Sequence, residues 1–290
     1  MAQVITGETE DEIYRQLLHN IYFYGETVAP RGKLTKALRN VTILHENAED
    51  CLLIGVRPGM SGKLAAMEAL QLVGGFSDPE LTVKVVPHYA NFMDDGEFYG
   101  AYGLRTRDAV DHVIRKLASD QSTRQAQMSF WDNSKDLAVE GKHDYPCTIS
   151  AHFEVYALPG EPERLHGTTV MRSNDAWLGY PYDVVQHTSL LRSIANALCL
   201  GVGTYTHIVH NMHLYATDFE KVGQTLDKLA LPKIAVAPRL LQGGIGIEGG
   251  ELWTMVQDRA RQIFYEPQTV EPASIEEAWM VEQMKKVYEA

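Results

Sequence analysis

Met171–Asp183 reads MRSNDAWLGYPYD. Arg172 and Ser173 stand side by side, and a guanidinium fork with a hydroxyl beside it is suited to a phosphate. Asp175 follows, then Gly179, Pro181 and Asp183. A Gly-x-Pro turn closes the extended stretch before it, and a carboxylate just beyond can read the edge of a base. Asp183 equally suits a surface position closing the Pro181 turn.

Working outward, His166–Met171 reads as a strand that enters this stretch. The turn Pro159–Arg164 joins it to Cys147–Ala157, which alternates. Cys147, Ile149, Ala151, Phe153 and Val155 fall on one face; Thr148, Ser150, His152 and Glu154 fall on the other. Cys147 follows Pro146 at the start of that strand and is either a buried structural thiol or a nucleophile. Downstream, Leu190, Leu191, Ile194 and Leu198 mark a buried helix ending near Gly201. Thr204–Tyr215 alternates as a second long strand. Alternation turns His207 and His213 one way and His210 the other, so this strand cannot aim all three at one metal ion, and no metal is expected. It also sets His213 and Tyr215 on a common face.

Toward the N-terminus, Thr9 with Glu12 forms a capping box opening a helix with Ile13, Leu17 and Ile21 on one side. A turn at Pro30–Gly32 precedes a strand, Val41–Leu44. Ser61 caps a helix over Lys63–Val73 that Gly74 ends. On it Glu68 shares a face with Leu64 and Leu72, as a boundary residue or as a carboxyl kept at a pocket wall. Leu81–Val86 and Ala126–Trp131 read as strands, Tyr99–Gly103 as a glycine-bounded turn, Asp108–Leu117 as a helix and Asn133–Asp144 as a polar loop. Helices are expected at Asp218–Leu229, Glu251–Phe264 and Ile275–Tyr288. Gly244–Gly249 satisfies GxGxxG after the strand-like Ile234–Ala237. No βαβ unit surrounds it and no acidic residue follows at the required distance, so a glycine-rich hairpin is the better reading.

The chain has 290 residues and no repeats or low-complexity linker, so we expect a single domain over 1–290. An α/β (α+β) fold follows, a mixed β-sheet flanked by helices. A net charge of −12 argues against coating nucleic acid, so an anionic substrate needs a local arginine cluster. Three widely spaced cysteines make no disulfide framework and fit a reducing cytoplasm. Cys51 and Cys199 sit in apolar contexts and look like core residues. MAQVITGETEDE has no apolar core of a signal peptide, and no apolar run approaches the ~18 residues of a membrane span.

RSxDxxLGxP over Arg172–Pro181, preceded by Pro146-Cys147 and followed by His213-Leu214-Tyr215, resembles the thymidylate synthase superfamily. The resemblance is strong from Ser122 to Tyr215 and patchy before residue 120. It implies that Cys147 is the nucleophile that adds to pyrimidine C6, its pKa lowered by neighbouring arginines. It implies that Arg172 and Ser173 hold phosphate, with Arg31 as a mobile N-terminal phosphate arginine. Asp175 would contact the folate ring beside Gly179, and His213 and Tyr215 the sugar hydroxyl. Glu68 would manage protons and an ordered water, its pKa raised by its leucine neighbours, and Tyr102 would stand near the nucleophile. Of the two arginines that reach across the family's homodimer, Arg124 is kept and Gln125 replaces the other. The back-to-back sheet dimer and the cosubstrate 5,10-methylenetetrahydrofolate are likewise implied by the resemblance.

Three departures point to one branch. The segment His88–Asn91 lacks the synthases' tryptophans, and the terminal KKVYEA lacks their apolar closing tail. Hydride transfer needs a closed, dry site, so water would instead complete the one-carbon unit as a 5-hydroxymethyl group. Asp183 stands where the synthases have asparagine. An amide can both donate and accept against uracil, whereas an ionised carboxylate only accepts and suits the N4 amino group of cytosine. The chain therefore looks most like the cytidylate hydroxymethylases, the phage deoxycytidylate enzymes and the CMP enzyme of nucleoside-antibiotic pathways, with CMP preferred on general resemblance. A thymidylate synthase acting on dUMP and a non-catalytic nucleotide- or RNA-binding regulator are the alternatives.

Overall fold

The computed structural model describes residues 3–7, 9–49, 51, 57–227 and 249–289. Its strands form one mixed sheet in the order β1 (Gln3–Gly7), β3 (Thr35–His45), β8 (Gly201–Tyr215), β6 (Glu163–Met171), β5 (Thr148–Ala157) and β4 (Gln127–Ser129). Two short strands lie off this path: β2 (Glu26–Val28) pairs with β3, and β7 (Asn174–Asp175) with β8. β6 and β8 are parallel, and each has an antiparallel neighbour on its other side, β5 and β3. Parallel neighbours need a crossover, supplied here by helix α6 (Tyr180–Ala197), which packs on both strands and is buried along nearly its whole length.

This topology brings many chain ends to one end of the sheet. β6 ends at Met171 opposite Val209, and β7 continues the parallel pairing along Met212 and His213 toward the end of β8 at Tyr215. Antiparallel pairing sets Thr148, which opens β5, opposite Met171, and Thr35, which opens β3, opposite Tyr215. The carboxyl end of parallel strands is where α/β sheets leave room for ligands.

Local chemistry explains several helix ends. α1 (Glu10–Tyr24) starts where the Thr9 hydroxyl accepts the Glu12 N–H at 3.3 Å, and it buries Ile13, Leu17 and Ile21. α2 (Gly62–Gly74) starts where Ser61 accepts the Leu64 N–H at 3.2 Å. The residue that ends it is Gly75, left-handed at φ +66, one position later than expected. α2 packs between α6 and two C-terminal helices, α8 (Gly249–Tyr265) and α9 (Ile275–Tyr288).

Several expectations are corrected. Leu81–Val86 lies largely in a helix, α3 (Pro79–Val85): Asp78 caps the Leu81 N–H at 2.9 Å and Pro79 fills the first turn, and these outweigh the β-branched run. The turn expected at Tyr99–Gly103 runs into α4 (Tyr102–Ser119), and the loop at Asn133 opens with a helical turn, α5 (Asn133–Asp136), capped by Asp132. The pleat of β5 slips: Thr148 pairs with Met171 but Ser150 with Val170, leaving Ile149 as the extra residue of a bulge. Thr148, Ala151 and Phe153 are therefore the buried set, and Cys147 does not share the face of Ala151 and Phe153. β8 keeps its register against β3 on both sides of left-handed Asn40 (φ +52). Its fully buried positions nevertheless change from Tyr205, His207 and Val209 to Met212 and Leu214, so His207 is buried while His213 is half-buried. Cys199, expected in the core, is exposed and left-handed at φ +56. α7 (Phe219–Asp227) matches the described part of the helix expected at Asp218–Leu229. The strand at 234–237 and the glycine hairpin up to 248 lie outside the described residues.

Candidate active site

Cys147 stands half-buried at the sheet end, one residue before β5. Arg172, which follows β6, clamps it from across the pair. Its backbone N–H donates to the Cys147 carbonyl at 2.9 Å, and its guanidinium donates to the carbonyls of Pro146 (2.9 Å) and Tyr145 (3.1 Å). Nε and Nη2 are thus engaged, while the side chain stays exposed with donors left for an anion. The next hydroxyl, Ser173 Oγ, lies 3.3 Å from His213 Nδ1, and the His213 and Tyr215 rings meet edge to face with centroids 5.1 Å apart. Arg31 occupies a left-handed turn at φ +52, exposed, and is among the positive charges that hold His213 down after burial itself.

The expected lowering of the thiol pKa is overturned. Burial pushes Cys147 up to about 11; Arg172 opposes this, and Asp183 and Asp144 add to it. Those carboxyls belong to an acidic cluster. Asp183, on the first turn of α6, is buried, and its Oδ2 accepts from Asn174 Nδ2 at 2.6 Å. Burial pushes it up to about 7 against that hydrogen bond. The surface-turn reading of Asp183 is thereby excluded, and at neutral pH the carboxyl is only partly ionised rather than a fixed acceptor. Glu68 projects from α2 between buried Leu64 and Leu72, and its Oε2 accepts from Gln186 Nε2 at 3.0 Å. Burial, then Asp183 and Asp144, push it up to about 8, the direction expected. Asp144 accepts from the Gly100 N–H at 3.1 Å and is raised chiefly by burial.

Tyr102 opens α4, and its phenol oxygen accepts the Thr148 N–H at 3.1 Å, which fixes the backbone next to Cys147. Asp175 holds the turn into α6: Oδ1 accepts the N–H groups of Trp177 (2.8 Å) and Leu178 (2.9 Å), and its carbonyl accepts that of Gly179 (3.0 Å). Gly179 has an ordinary right-handed backbone; a Cβ there would lie 3.5 Å from Asp183 Oδ2, so its smallness keeps space beside that carboxyl. On the other side of the turn, the buried Arg57 guanidinium lies 5.1 Å from the Trp177 ring centroid and 5.7 Å from that of Tyr182. Its Nε and Nη1 have no partner among the described residues. Arg124 alone of the expected residues stands apart, exposed in the turn before edge strand β4.

Asn174, Gln186, Asp144, Arg57 and Tyr89 were not anticipated. Tyr89 stands in the tryptophan-free segment, and its phenol is raised by burial and by Glu68, Tyr182, Asp183 and Asp144. Asp144, three residues before Cys147, had a weak signal in its position. Asn174 lies inside the opening motif, between Ser173 and Asp175, while Gln186 and Arg57 are joined to the site by the fold.

The model of the thymidylate synthase family matches residues 79–242, more than half of the chain. This chain belongs to the thymidylate synthase family. Its mixed sheet flanked by helices is that family's domain. The matched region holds every expected site residue except Arg31 and Glu68. Among similar relatives, the deoxyuridylate hydroxymethyltransferase of Bacillus phage SP01 is 25% identical over 242 residues, covering 77% of this chain and 62% of the phage protein. The thymidylate synthase of Streptococcus mutans is 29% identical over 131 residues, covering 45% of this chain and 46% of that enzyme. The chain thus spans less than two thirds of the length of these relatives. Among the described residues, no helix is long and apolar enough to cross a membrane.

Proposed function

We propose that this family member, acting as a single catalytic domain in the cytoplasm, adds a hydroxymethyl group to C5 of a cytidine monophosphate, CMP or dCMP. The observation that carries the reading is Asp183, a buried carboxyl on the first turn of α6, where an asparagine marks the synthases by resemblance. Arg172, Ser173 and Arg31 hold the phosphate, and His213 and Tyr215 the sugar. Cys147 adds to C6, which makes C5 nucleophilic; Tyr102 holds the thiol's neighbour in place. Because burial disfavours the thiolate in the free protein, the thiol proton leaves only once the base is seated, with negative charge moving from sulfur into the ring. Glu68, protonated up to about pH 8, gives and retrieves protons at the base and positions the water.

5,10-Methylenetetrahydrofolate supplies the one-carbon unit. The residues beside Asp175 fit such a group: two Arg57 donors without a partner among the described residues sit in a wall of Trp177 and Tyr182, suited to a flat ring with acceptors and to a carboxylate tail. A homodimer, with Arg124 reaching the partner's phosphate, completes the reading.

The test is to supply CMP, dCMP and dUMP with methylenetetrahydrofolate. Turnover of a cytidine nucleotide with release of tetrahydrofolate supports the proposal. Dihydrofolate from dUMP would show a thymidylate synthase instead, and binding without turnover a regulator. A second reading has its own support: with its pKa near 7, Asp183 can also donate to uracil O4, and the phage relative's name contains deoxyuridylate. Hydroxymethylation of dUMP at a rate exceeding that of CMP and dCMP would establish it.

A further inference from the structure

Behind the site, at the far end of β3, three side chains from separate segments converge. Glu10 begins α1, His45 ends β3 and Cys51 lies in the chain leading to α2; all three are buried. His45 Nδ1 is in direct hydrogen-bond contact with Glu10 Oε1. The Cys51 sulfur lies 3.5 Å from that oxygen and 3.9 Å from that nitrogen. The second Glu10 oxygen is buried without a partner among the described residues. The other ring nitrogen of His45, Nε2, lies 3.2 Å from the Tyr180 hydroxyl.

We propose that Glu10, His45 and Cys51 form a structural site for a divalent cation of the zinc type. Thiolate, imidazole and carboxylate are the three donor types zinc takes, and a tetrahedral zinc has ligand–ligand edges of roughly 3.3–3.6 Å. The two edges to sulfur are near that spacing; the Glu10–His45 edge opens as the ion replaces the proton between them. A thiolate and a carboxylate balance the ion's charge, so the filled site is neutral in a buried place where unbalanced charge is costly. The free Glu10 oxygen, or a water, completes the fourth position. Tyr180 serves as the outer partner, accepting from Nε2–H and fixing the tautomer that leaves Nδ1 for the metal. Tyr180 follows Gly179 directly, so the site braces the turn from which Asp183 projects. Binding expels the thiol proton and therefore weakens as pH falls.

The test uses the full chain purified without chelator or metal-affinity resin. Elemental analysis should find about one zinc per chain, released on acidification. After exchange into Co2+, the wild type should show a sulfur-to-cobalt charge-transfer band. The Cys147→Ser/Cys199→Ser double variant, in which Cys51 is the remaining thiol, should keep that band. Cys51→Ser should lose it, and His45→Gln should lose stoichiometric metal. If these buried variants do not fold, the wild type and the double variant decide alone. No stoichiometric uptake of Zn2+ or Co2+ by the wild type, a cobalt spectrum without a thiolate band, or a band lost in the double variant would each overturn the proposal.

Discussion

Cys147 and Asp183 meet opposite demands in one small volume. A dry pocket strengthens every electrostatic contact made with a seated base, yet the same burial keeps the thiol protonated and Asp183 near half-ionised at neutral pH. Cys147→Ser should abolish turnover and tritium release from C5 while nucleotide binding persists; appreciable residual C5 exchange would remove Cys147 from the nucleophile's role. For Asp183 the sign follows from its raised pKa. Below about 7 the carboxyl is protonated and can donate to uracil O4; above it the carboxylate only accepts and suits the cytosine amino group. The ratio of CMP to UMP affinity, measured by calorimetry between about pH 6 and 8.5, should rise as Asp183 ionises. A buried acceptor left facing another acceptor costs about 1–3 kcal/mol, so a change of roughly tenfold is expected. In Asp183→Asn the ratio should favour uracil and become flat with pH. A wild-type ratio already flat with pH would mean that Asp183 does not read the base.

At the scale of elements, α2 meets α6 and α4, and both meetings tie stability to function. Glu68 has an ordinary value near 4.5 and is pushed up to about 8 in the fold. Between those values the native state holds a proton that the unfolded chain has lost, so stability at this site falls as pH rises through the window. Glu68→Gln should remove that slope: relative to wild type its Tm should gain at least about 2 °C on going from pH 5 to pH 8, while turnover drops roughly 10²–10⁴-fold as for a lost acid–base group. A parallel pH–Tm profile would place Glu68 in a solvated setting. Where α4 starts, a Cβ on Gly103 would come 2.2 Å from the Gln71 carbonyl oxygen and 2.4 Å from that of Phe76. These are backbone atoms at the end of α2 and cannot swing aside. Gly103→Ala should therefore destabilise by about 1–3 kcal/mol or more, seen as a lower denaturation midpoint, and should disturb the Tyr102 contact to the Thr148 N–H. The N-caps of α1 and α2 were legible because Thr9 and Ser61 act on their immediate neighbours. Leu81–Val86 was misread because its composition spoke for a strand while the deciding residues, Asp78 and Pro79, lay outside the run. The slip of β5 was hidden too: the bulge at Ile149 leaves no periodic trace. The motif residues Cys147, Arg172, Ser173, Asp175, Asp183, His213 and Tyr215 were readable as a set; Asn174 lay in the motif without a readable role, and Gln186 and Arg57 reach the site through pairings of the fold alone.

The whole molecule carries a net charge of −12, and three of its acids lie near the place proposed for a phosphate. Burial relieves part of this by holding Glu68 and, in part, Asp183 neutral. The rest falls to arginines, and one chain offers Arg172 and Arg31 at the sheet end. Arg124, beside edge strand β4 and free of any partner among the described residues, is available to a second subunit. A closed two-fold dimer would use it twice, each subunit lending its arginine to the other's phosphate. Arg124→Ala should then raise the KM for nucleotide, with a smaller effect on kcat. A solvated surface arginine would change neither, so mixing subunits gives the stronger test. Cys147→Ser lacks a nucleophile but can lend Arg124; Arg124→Ala has the nucleophile but nothing to lend. When the two inactive or weakened variants are unfolded together and refolded, half of random dimers are mixed and each holds one intact site. Turnover at low nucleotide should recover to about one quarter of the wild-type value. Activity no greater than the mean of the separate variants would mean that each site is completed by its own chain.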